Sequence, residues 1–249
     1  MARKKALVIL PTYNEFENLK PMVEQILSCN RDYDFFDINL VIVDDNSPDG
    51  TGKLADDIAR THKNVSVIHR SAKLGLGSAH AEGFRYGVKG NFDYIITMDA
   101  DFSHDPKYLP ALVMFMAYND LVIGSRYVPG GEVASCKLSR RIFSGCANAY
   151  IITLLGIKAR DCTAGFRCYK RELLLKLDLD RNYSKRYSYL VEMLYRSQRV
   201  GAKIGEVPII FKNREQGFTK FCTREIFMSL RTVSHFALDR FGIIKQKSL

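Results

Sequence analysis

Apolar residues in the first half of the chain come in short, unbroken runs, and the stretches between those runs carry helical spacing. Residues 6–10, Ala-Leu-Val-Ile-Leu, form the first run, and Pro11 closes it. Runs of strand length without polar alternation suit a parallel sheet covered on both faces. Leu19, Met22, Val23, Ile26 and Leu27 then recur at the intervals of one helix face. The same alternation predicts strands over 38–43, 65–69, 94–98 and 121–124. Helices are predicted over 51–61, 78–86 and 107–116. This order specifies an α/β domain, with a mainly parallel central sheet flanked by helices.

The second half is less regular. Residues 140–155 read as a helix with Ile142, Phe143, Cys146, Ala149, Tyr150 and Thr153 along one side. A short strand is expected at 166–169, a helix at 189–199, and a strand over 204–211 around Pro208. Residues 223–241 form a basic amphipathic helix, with Ile226, Phe227, Leu230, Val233, Phe236, Ala237 and Phe241 on its apolar side. No change of composition marks a linker. A single catalytic-sized domain is expected over 1–225, with 226–249 as a C-terminal amphipathic helix and tail packed on the domain or on a membrane surface.

Composition narrows the class. A hydrophobic fraction of 47% in 249 residues supports a substantial core. The net charge of +10 favours anionic partners: nucleic acid, an acidic membrane face or a phosphorylated substrate. Six cysteines without a CxxC spacing are expected to be reduced thiols of a cytosolic protein. The longest apolar candidate, 147–157, is too short to span a bilayer, and the first apolar run is too short for a signal-peptide core. A soluble or peripheral protein is expected.

In parallel sheets, ligands bind beyond the carboxyl ends of the strands. That rule gathers 11–15, 44–49, 73–77 and 99–104 at one rim. Asp99-Ala100-Asp101 is the most informative of these segments. In an extended backbone its two carboxylates share one side and repel unless a proton or cation lies between them. Hard oxygen ligands suit Mg²⁺ or Mn²⁺. Alternatively the acids start a turn and cap the following helix through Asp105 and Pro106. Tyr13 can pack on a base or sugar and Glu15 can accept hydrogen bonds, or Asn14 can simply cap a helix. A carboxylate of the Asp44-Asp45 pair can read the N–H of a nucleobase. Gly75 and Gly77, after Lys73, allow close backbone approach. Neither a GxGxxG nor a GxxxxGK[ST] pattern is present. His104 is expected to cap the helix or to sit beside the acids without touching a cation directly.

Taken together, Pro11-Thr-Tyr-Asn-Glu15, Asp44-Asp-Asn-Ser-Pro-Asp-Gly-Thr51, Lys73-Leu-Gly-Leu-Gly77, Asp99-Ala-Asp-Phe-Ser-His104, Gly124-Ser-Arg-Tyr127 and Val207-Pro-Ile209, with Arg214 and Lys220, closely resemble the polyprenol (dolichyl) phosphate mannose synthases. These are inverting glycosyltransferases of family 2 with the GT-A fold. The resemblance runs from about residue 6 to about 225, in order. It implies transfer of mannose from GDP-mannose to dolichyl or another polyprenyl phosphate, for glycoconjugate assembly.

The resemblance also implies roles. Pro11, Tyr13, Glu15, Val43 and Asp45 would hold base and ribose, with Lys73 nearby. Asp99, Asp101 and Ser103 would surround Mg²⁺ or Mn²⁺, and the Ala100 backbone would touch the donor. Arg126, Arg214 and Lys220 would bind phosphates, and Arg126, Arg140 and Ser144 the acceptor phosphate. Some members carry Gln where this chain has Ser103. The segment Asp161-Cys-Thr-Ala-Gly-Phe-Arg167 matches the family without a role that can be assigned. A lipid acceptor implies a membrane surface, reached peripherally or through small transmembrane partner subunits. The expected location is the cytoplasmic face of the endoplasmic reticulum in a eukaryote, or of the plasma membrane in a prokaryote. The helix 223–241, with Arg224, Arg231 and Arg240, suits such a surface. Rivals are a polyprenyl-phosphate glucosyltransferase using UDP-glucose, a phosphotransferase using Asp99 as nucleophile, and a non-catalytic nucleotide-sugar or nucleic-acid binder. The phosphotransferase is disfavoured because its motif normally follows the first strand. Only the basic charge supports a binder, so no nucleic-acid partner is expected.

Overall fold

The computed structural model describes residues 3–134, 138–180, 184, 188–212 and 223–243; side chains at 31, 138–143 and 223–230 lie outside that description. In chain order the first elements are β1 (Lys4–Thr12), α1 (Phe16–Asp32), β2 (Phe36–Asp44), α2 (Thr51–Thr61), β3 (Val65–His69), α3 (Leu76–Lys89) and β4 (Tyr94–Thr97). A 3-10 turn (Pro106–Tyr108), α4 (Leu109–Phe115), β5 (Leu121–Ser125), β6 (Glu132–Ala134) and α5 (Leu138–Leu155) follow. The rest is β7 (Arg167–Lys170), α6 (Arg171–Lys176), α7 (Ser188–Arg199), β8 (Ile204–Pro208), β9 (Ile210–Lys212) and α8 (Thr223–Arg240).

Among the described residues, seven strands form one sheet in the order β3-β2-β1-β4-β7-β5-β8. All neighbours are parallel except β7, which runs against both β4 and β5. The unbroken apolar run of β1 is explained by this placement. Ala6, Val8 and Leu10 join the core beneath α1, α2 and α4, while Leu7 and Ile9 join the core on the other face, with α3, α5, α7 and α8. Side chains alternate faces along a strand, so a strand covered on both sides has no polar positions. α3 lies so close to the sheet that a Cβ at Gly83 would stand 2.5 Å from the Ile9 side chain.

Three expectations are refined. The helix predicted over 107–116 divides into the 3-10 turn and α4, each with proline in its first turn. The strand predicted over 204–211 divides at Pro208: β8 pairs with β5, whereas β9 pairs with β6 in a separate two-stranded sheet. Proline has no N–H to extend the ladder. The strand predicted at 166–169 forms as β7, and its reversed direction has a consequence. Arg167 pairs with Thr97 at the carboxyl end of β4, so the preceding residues 161–166 lie on the same rim as Asp99.

α8 runs without a break from Thr223 to Arg240, across the division expected at 225/226, and Val233 and Phe236 are buried in the main core against α5 and α7. Arg240 is exposed and also binds within the fold. Its Nη1 donates to the carbonyls of Thr153 and Leu154 at 3.0 and 2.9 Å, closing the C-terminal end of α5. No helix among the described residues is long and apolar enough to cross a membrane.

His80, on α3, is buried between these layers, 6.3 Å from the rings of both Phe84 and Tyr189. Burial, with smaller contributions from Arg167 and His104, pushes its pKa from 6.5 down to about 3. The folded imidazole is therefore neutral. Below pH 6.5 the unfolded chain binds a proton that the folded chain does not, so stability falls as pH is lowered from 6.5 towards 3, by at most about 1.4 kcal/mol per unit. His80→Leu should flatten this dependence. Urea denaturation at about pH 7 and about pH 5 should show roughly 2 kcal/mol less acid loss in the variant. An equal acid loss in both proteins would contradict the assignment.

Candidate functional site

The loops that leave β1, β2, β3 and β4 share one rim, and they divide into a half lined by aromatic and carboxylate groups and a half built on charge. In the first half, Asp44 and Asp45 point to opposite sides because they are consecutive in extended backbone. Asp44 organises its own turn. It accepts from the Thr12 hydroxyl at 3.1 Å, the Ser47 hydroxyl at 2.6 Å and the Ser47 N–H at 3.0 Å. Asp45 reaches instead across to the next loop. One oxygen accepts from Arg70 Nη1, and the other accepts the Gly75 N–H at 3.0 Å. Gly75 has φ +99°, a conformation glycine adopts without strain. Arg70 is buried, and its Nη2 donates to the Ser78 hydroxyl at 2.6 Å.

Lys73 Nζ lies 3.6 Å from the centre of the Tyr13 ring, a cation–π contact at the mouth of this half. Pro11 and Val43 are paired in register beneath it. Glu15 occupies the start of α1. Its N–H donates to the Thr51 hydroxyl at 3.0 Å, and its Oε2 accepts from Asn18 at 2.7 Å. The cap considered for Asn14 does not form. Asn14 adopts φ +60° one residue earlier, and Glu15 takes the cap position without a side-chain bond.

In the second half, Asp99 and Asp101 follow β4. Both are partly exposed, and Ala100 between them is buried. Asp101 Oδ1 accepts the Ser103 N–H at 3.1 Å and the Ser103 hydroxyl at 2.6 Å. Ser103, expected beside a cation, is thus buried and spends its hydroxyl proton on Asp101, acting as the brace of that carboxylate. The Asp99 N–H donates to His104 Nδ1 at 3.0 Å, which places the imidazole proton on Nε2. Burial lowers the pKa of His104 against the upward pull of Asp99 and Asp101, so the ring is neutral. Its role beside the acids is as expected from sequence, and it does not cap the helix. Asp105 caps the 3-10 turn instead.

Residues 161–166 close this half. A Cβ on Gly165 would stand 3.9 Å from both carboxylate oxygens of Asp99, so the loop lies against that acid. Asp161 is fully buried and grips Arg126: Nε donates to Oδ2 at 2.8 Å and Nη2 to Oδ1 at 2.7 Å. The Arg126 N–H also donates to Oδ2 at 3.0 Å, and Nη2 to the Thr163 hydroxyl at 2.7 Å. Burial works against both charges. The mutual hydrogen bonds and attraction nonetheless hold Asp161 below and Arg126 above its ordinary pKa. Arg126, expected on the donor and acceptor phosphates, thus has its Nε and Nη2 engaged by Asp161. Nη1 is the nitrogen left for another anion among the described residues. The Tyr127 and Ser144 hydroxyls are hydrogen-bonded at 2.8 Å, which joins the end of β5 to α5.

The Arg140 side chain, and Arg214 and Lys220, lie outside the described residues. The structure brings together Pro11, Tyr13, Glu15, Val43, Asp45 and Lys73 in one half, and Asp99, Ala100, Asp101, Ser103 and Arg126 in the other. The sequence reading passed over Arg70 and left Asp161 without a role. Arg70 directly follows β3, so the same carboxyl-edge rule that collected the acids would have found it.

Residues 7–178 match the family model described as Glycosyl transferase family 2. Among curated proteins, an undecaprenyl-phosphate mannosyltransferase of Micrococcus luteus is 42% identical over 216 residues, covering 87% of this chain and 87% of that protein. A polyprenol monophosphomannose synthase of Mycolicibacterium smegmatis is 40% identical over 238 residues, covering 94% and 88%. Two solved structures share the fold. Mannosyl-3-phosphoglycerate synthase from Rubrobacter xylanophilus has a TM-score of 0.70 at 18% identity, covering 98% of this chain and 77% of that one. Glucosyl-3-phosphoglycerate synthase from Mycobacterium tuberculosis, in complex with Mn²⁺, UDP and glucosyl-3-phosphoglycerate, has a TM-score of 0.65 at 21% identity, covering 98% and 82%.

Removing one partner of a buried ion pair leaves the other charge uncompensated. Asp161→Ala should destabilise the protein by about 3–5 kcal/mol, read as a lower urea midpoint at unchanged slope. A loss below about 1 kcal/mol, the range of an exposed pair, would show that Arg126 does not depend on it.

Proposed function

The chain belongs to glycosyl transferase family 2, and on that premise we propose that it is an inverting mannosyltransferase, moving mannose from GDP-mannose to the phosphate of dolichol or another polyprenol. The observation that carries this reading is the placement of the Asp99–Asp101 pair at the end of β4, with Asp45 on one side of the rim and Arg126 on the other. Relatives named for polyprenyl-phosphate mannosyl transfer cover nearly the whole chain at 40–42% identity, which supports the choice of acceptor and sugar.

In this reading the Tyr13 ring and the Asp45 carboxylate hold the nucleoside, with Pro11, Glu15, Val43 and Lys73 around it. Asp45 is fixed by Arg70 and Gly75, so its remaining lone pairs point in a set direction. Asp99 and Asp101 offer partly exposed carboxylate oxygens, a donor set that fits a hard divalent cation, Mg²⁺ or Mn²⁺. When bound, such an ion supplies positive charge to the departing diphosphate. Arg126 Nη1, Arg140, Arg214 and Lys220 supply fixed positive charge for donor and acceptor phosphates. Ser144, tied to Tyr127, is assigned to the acceptor phosphate in this reading. The nucleophile is a phosphate oxygen of the lipid. A phosphate monoester has its second pKa near ~6 and is already largely dianionic at neutral pH, so no strong general base is needed.

The lipid acceptor requires a membrane surface, and the reading assigns the enzyme to a cytoplasmic face, peripherally or with small transmembrane partners. Leu238, Phe241 and Ile243, exposed where α8 ends, are apolar groups available to that surface.

Purified protein given labelled GDP-mannose, a polyprenyl phosphate and Mg²⁺ or Mn²⁺ should form a mannolipid, and UDP-glucose should give little product. Chelation should abolish labelling. Asp101→Ala should lower the rate about 10²–10³-fold, the scale of losing one preorganised electrostatic contact. Labelling that survives Asp101→Ala unchanged would refute the role of the carboxylate pair. Labelling from UDP-glucose alone would refute the donor.

A further inference from the structure

β9, paired with β6, is also tied to the segment that follows Asp101, once at each end. The Lys212 N–H donates to the Ser103 carbonyl at 3.3 Å, and the Ile210 N–H donates to the Tyr108 hydroxyl at 3.0 Å. Between these two anchors, half-buried Phe211 touches both parts of the charged half of the site. Its ring and that of His104 form a T-shaped pair, centroids 5.6 Å apart and planes at 66°. His104 in turn holds the Asp99 N–H and stacks on Phe166 at 5.2 Å. The Arg126 guanidinium carbon lies 5.4 Å over the same Phe211 ring, and 5.4 Å over the Tyr127 ring.

We propose that Phe211 is a positioning residue, which sets the distance between the Asp99 carboxylate and the Arg126 guanidinium by bearing on His104 and on Arg126 at once. This rests on the proposed function, in which Asp99 serves the donor and Arg126 the phosphates. Asp161 and Thr163 hold the Nε and Nη2 edge of Arg126. The Tyr127 and Phe211 rings, each 5.4 Å from its guanidinium carbon, steady its plane by cation–π attraction and so aim Nη1, and Phe211 links that plane to His104 as well. The Phe211 and His104 rings meet in the favoured edge-to-face arrangement. An aliphatic side chain fills the same space but supplies neither orientation. Phe211 touches no substrate in this account and acts only through its two neighbours.

Phe211→Leu and Phe211→Tyr separate orientation from bulk. Phe211→Leu should raise KM for polyprenyl phosphate and for GDP-mannose by about 5- to 10-fold each, the scale of one partly desolvated cation–π contact. Phe211→Tyr should stay within about twofold of the parent for both, because the ring face is kept. Hydrogen exchange should be faster in Phe211→Leu for the peptides spanning 99–104 and 125–128, and normal in Phe211→Tyr. A Leu variant with a lower Tm but parental KM values and parental exchange in both peptides would overturn the proposal, showing that the ring only fills space. Equal defects in the Leu and Tyr variants would also overturn it. Failure of the functional reading is distinct: the parent protein would then form no mannolipid, while the exchange comparison would still decide whether Phe211 orders both segments.

Discussion

The buried carboxylate of Asp161 is the constraint on which the charged half of the rim depends. An ion pair taken out of water loses solvation that attraction alone does not restore, and it persists only if its remaining valences are satisfied. Asp161 meets that condition. Both oxygens accept from Arg126, and the Arg126 and Ala164 N–H groups add two further bonds. Its own N–H and that of Arg160 are taken by Glu206 of β8, at 3.0 and 2.8 Å. One residue thereby joins the end of β5, the turn before β7, and β8. The turn it stabilises is the one that lies against Asp99.

The two acidic pairs at the rim reach different ends by the same geometry. Asp44 and Asp45 are adjacent and diverge, so one is used to make the turn and the other crosses to the loop after β3. Asp99 and Asp101 are separated by one residue, and Ala100 between them faces the core. Their loop is held by side chains that do not lie at its surface: His104 takes an N–H and Ser103 braces a carboxylate, and both are buried. Rigidity below and partial exposure above is the arrangement expected of a group meant to meet a ligand.

Elements with strong local patterning were legible in the sequence. The unbroken apolar strands gave the parallel sheet and its carboxyl rim, because a strand covered on both faces cannot hide its composition. What could not be read was long-range. Nothing in Arg167-Cys-Tyr-Lys170 tells that the strand inserts between β4 and β5 in reverse, since the cause lies in where the chain returns to the sheet. For the same reason Asp161 and Arg126, 35 residues apart, gave no sign of their pairing. Pro208 was visible as an interruption, but its effect, sending Phe211 to a second sheet beside His104, depends on β6, a strand of three residues too short to show a pattern. The sequence motifs thus located the site's acids and the local braces Ser103 and His104, while Arg70, Asp161 and Phe211 came into the site through tertiary contacts.

The distribution of backbone strain bears on which loop matters most. A left-handed residue occurs in each loop leaving the first four strands: Asn14 at φ +60°, Asn46 at +57°, Gly75 at +99° and Phe102 at +60°. Asn14, Asn46 and Phe102 turn the chain within a few residues of its strand, and Gly75 turns it into α3. Asparagine and glycine adopt this region at little cost, so the first three are ordinary solutions to a turn. Phe102 is not. A bulky side chain there costs about 1–3 kcal/mol and persists only where surrounding bonds over-determine it. Those bonds are the two from Ser103 to Asp101 on one side and the Asp99–His104 bond on the other. The least comfortable backbone at the rim is thus the residue directly after Asp101, held in place by the same contacts that fix the two carboxylates.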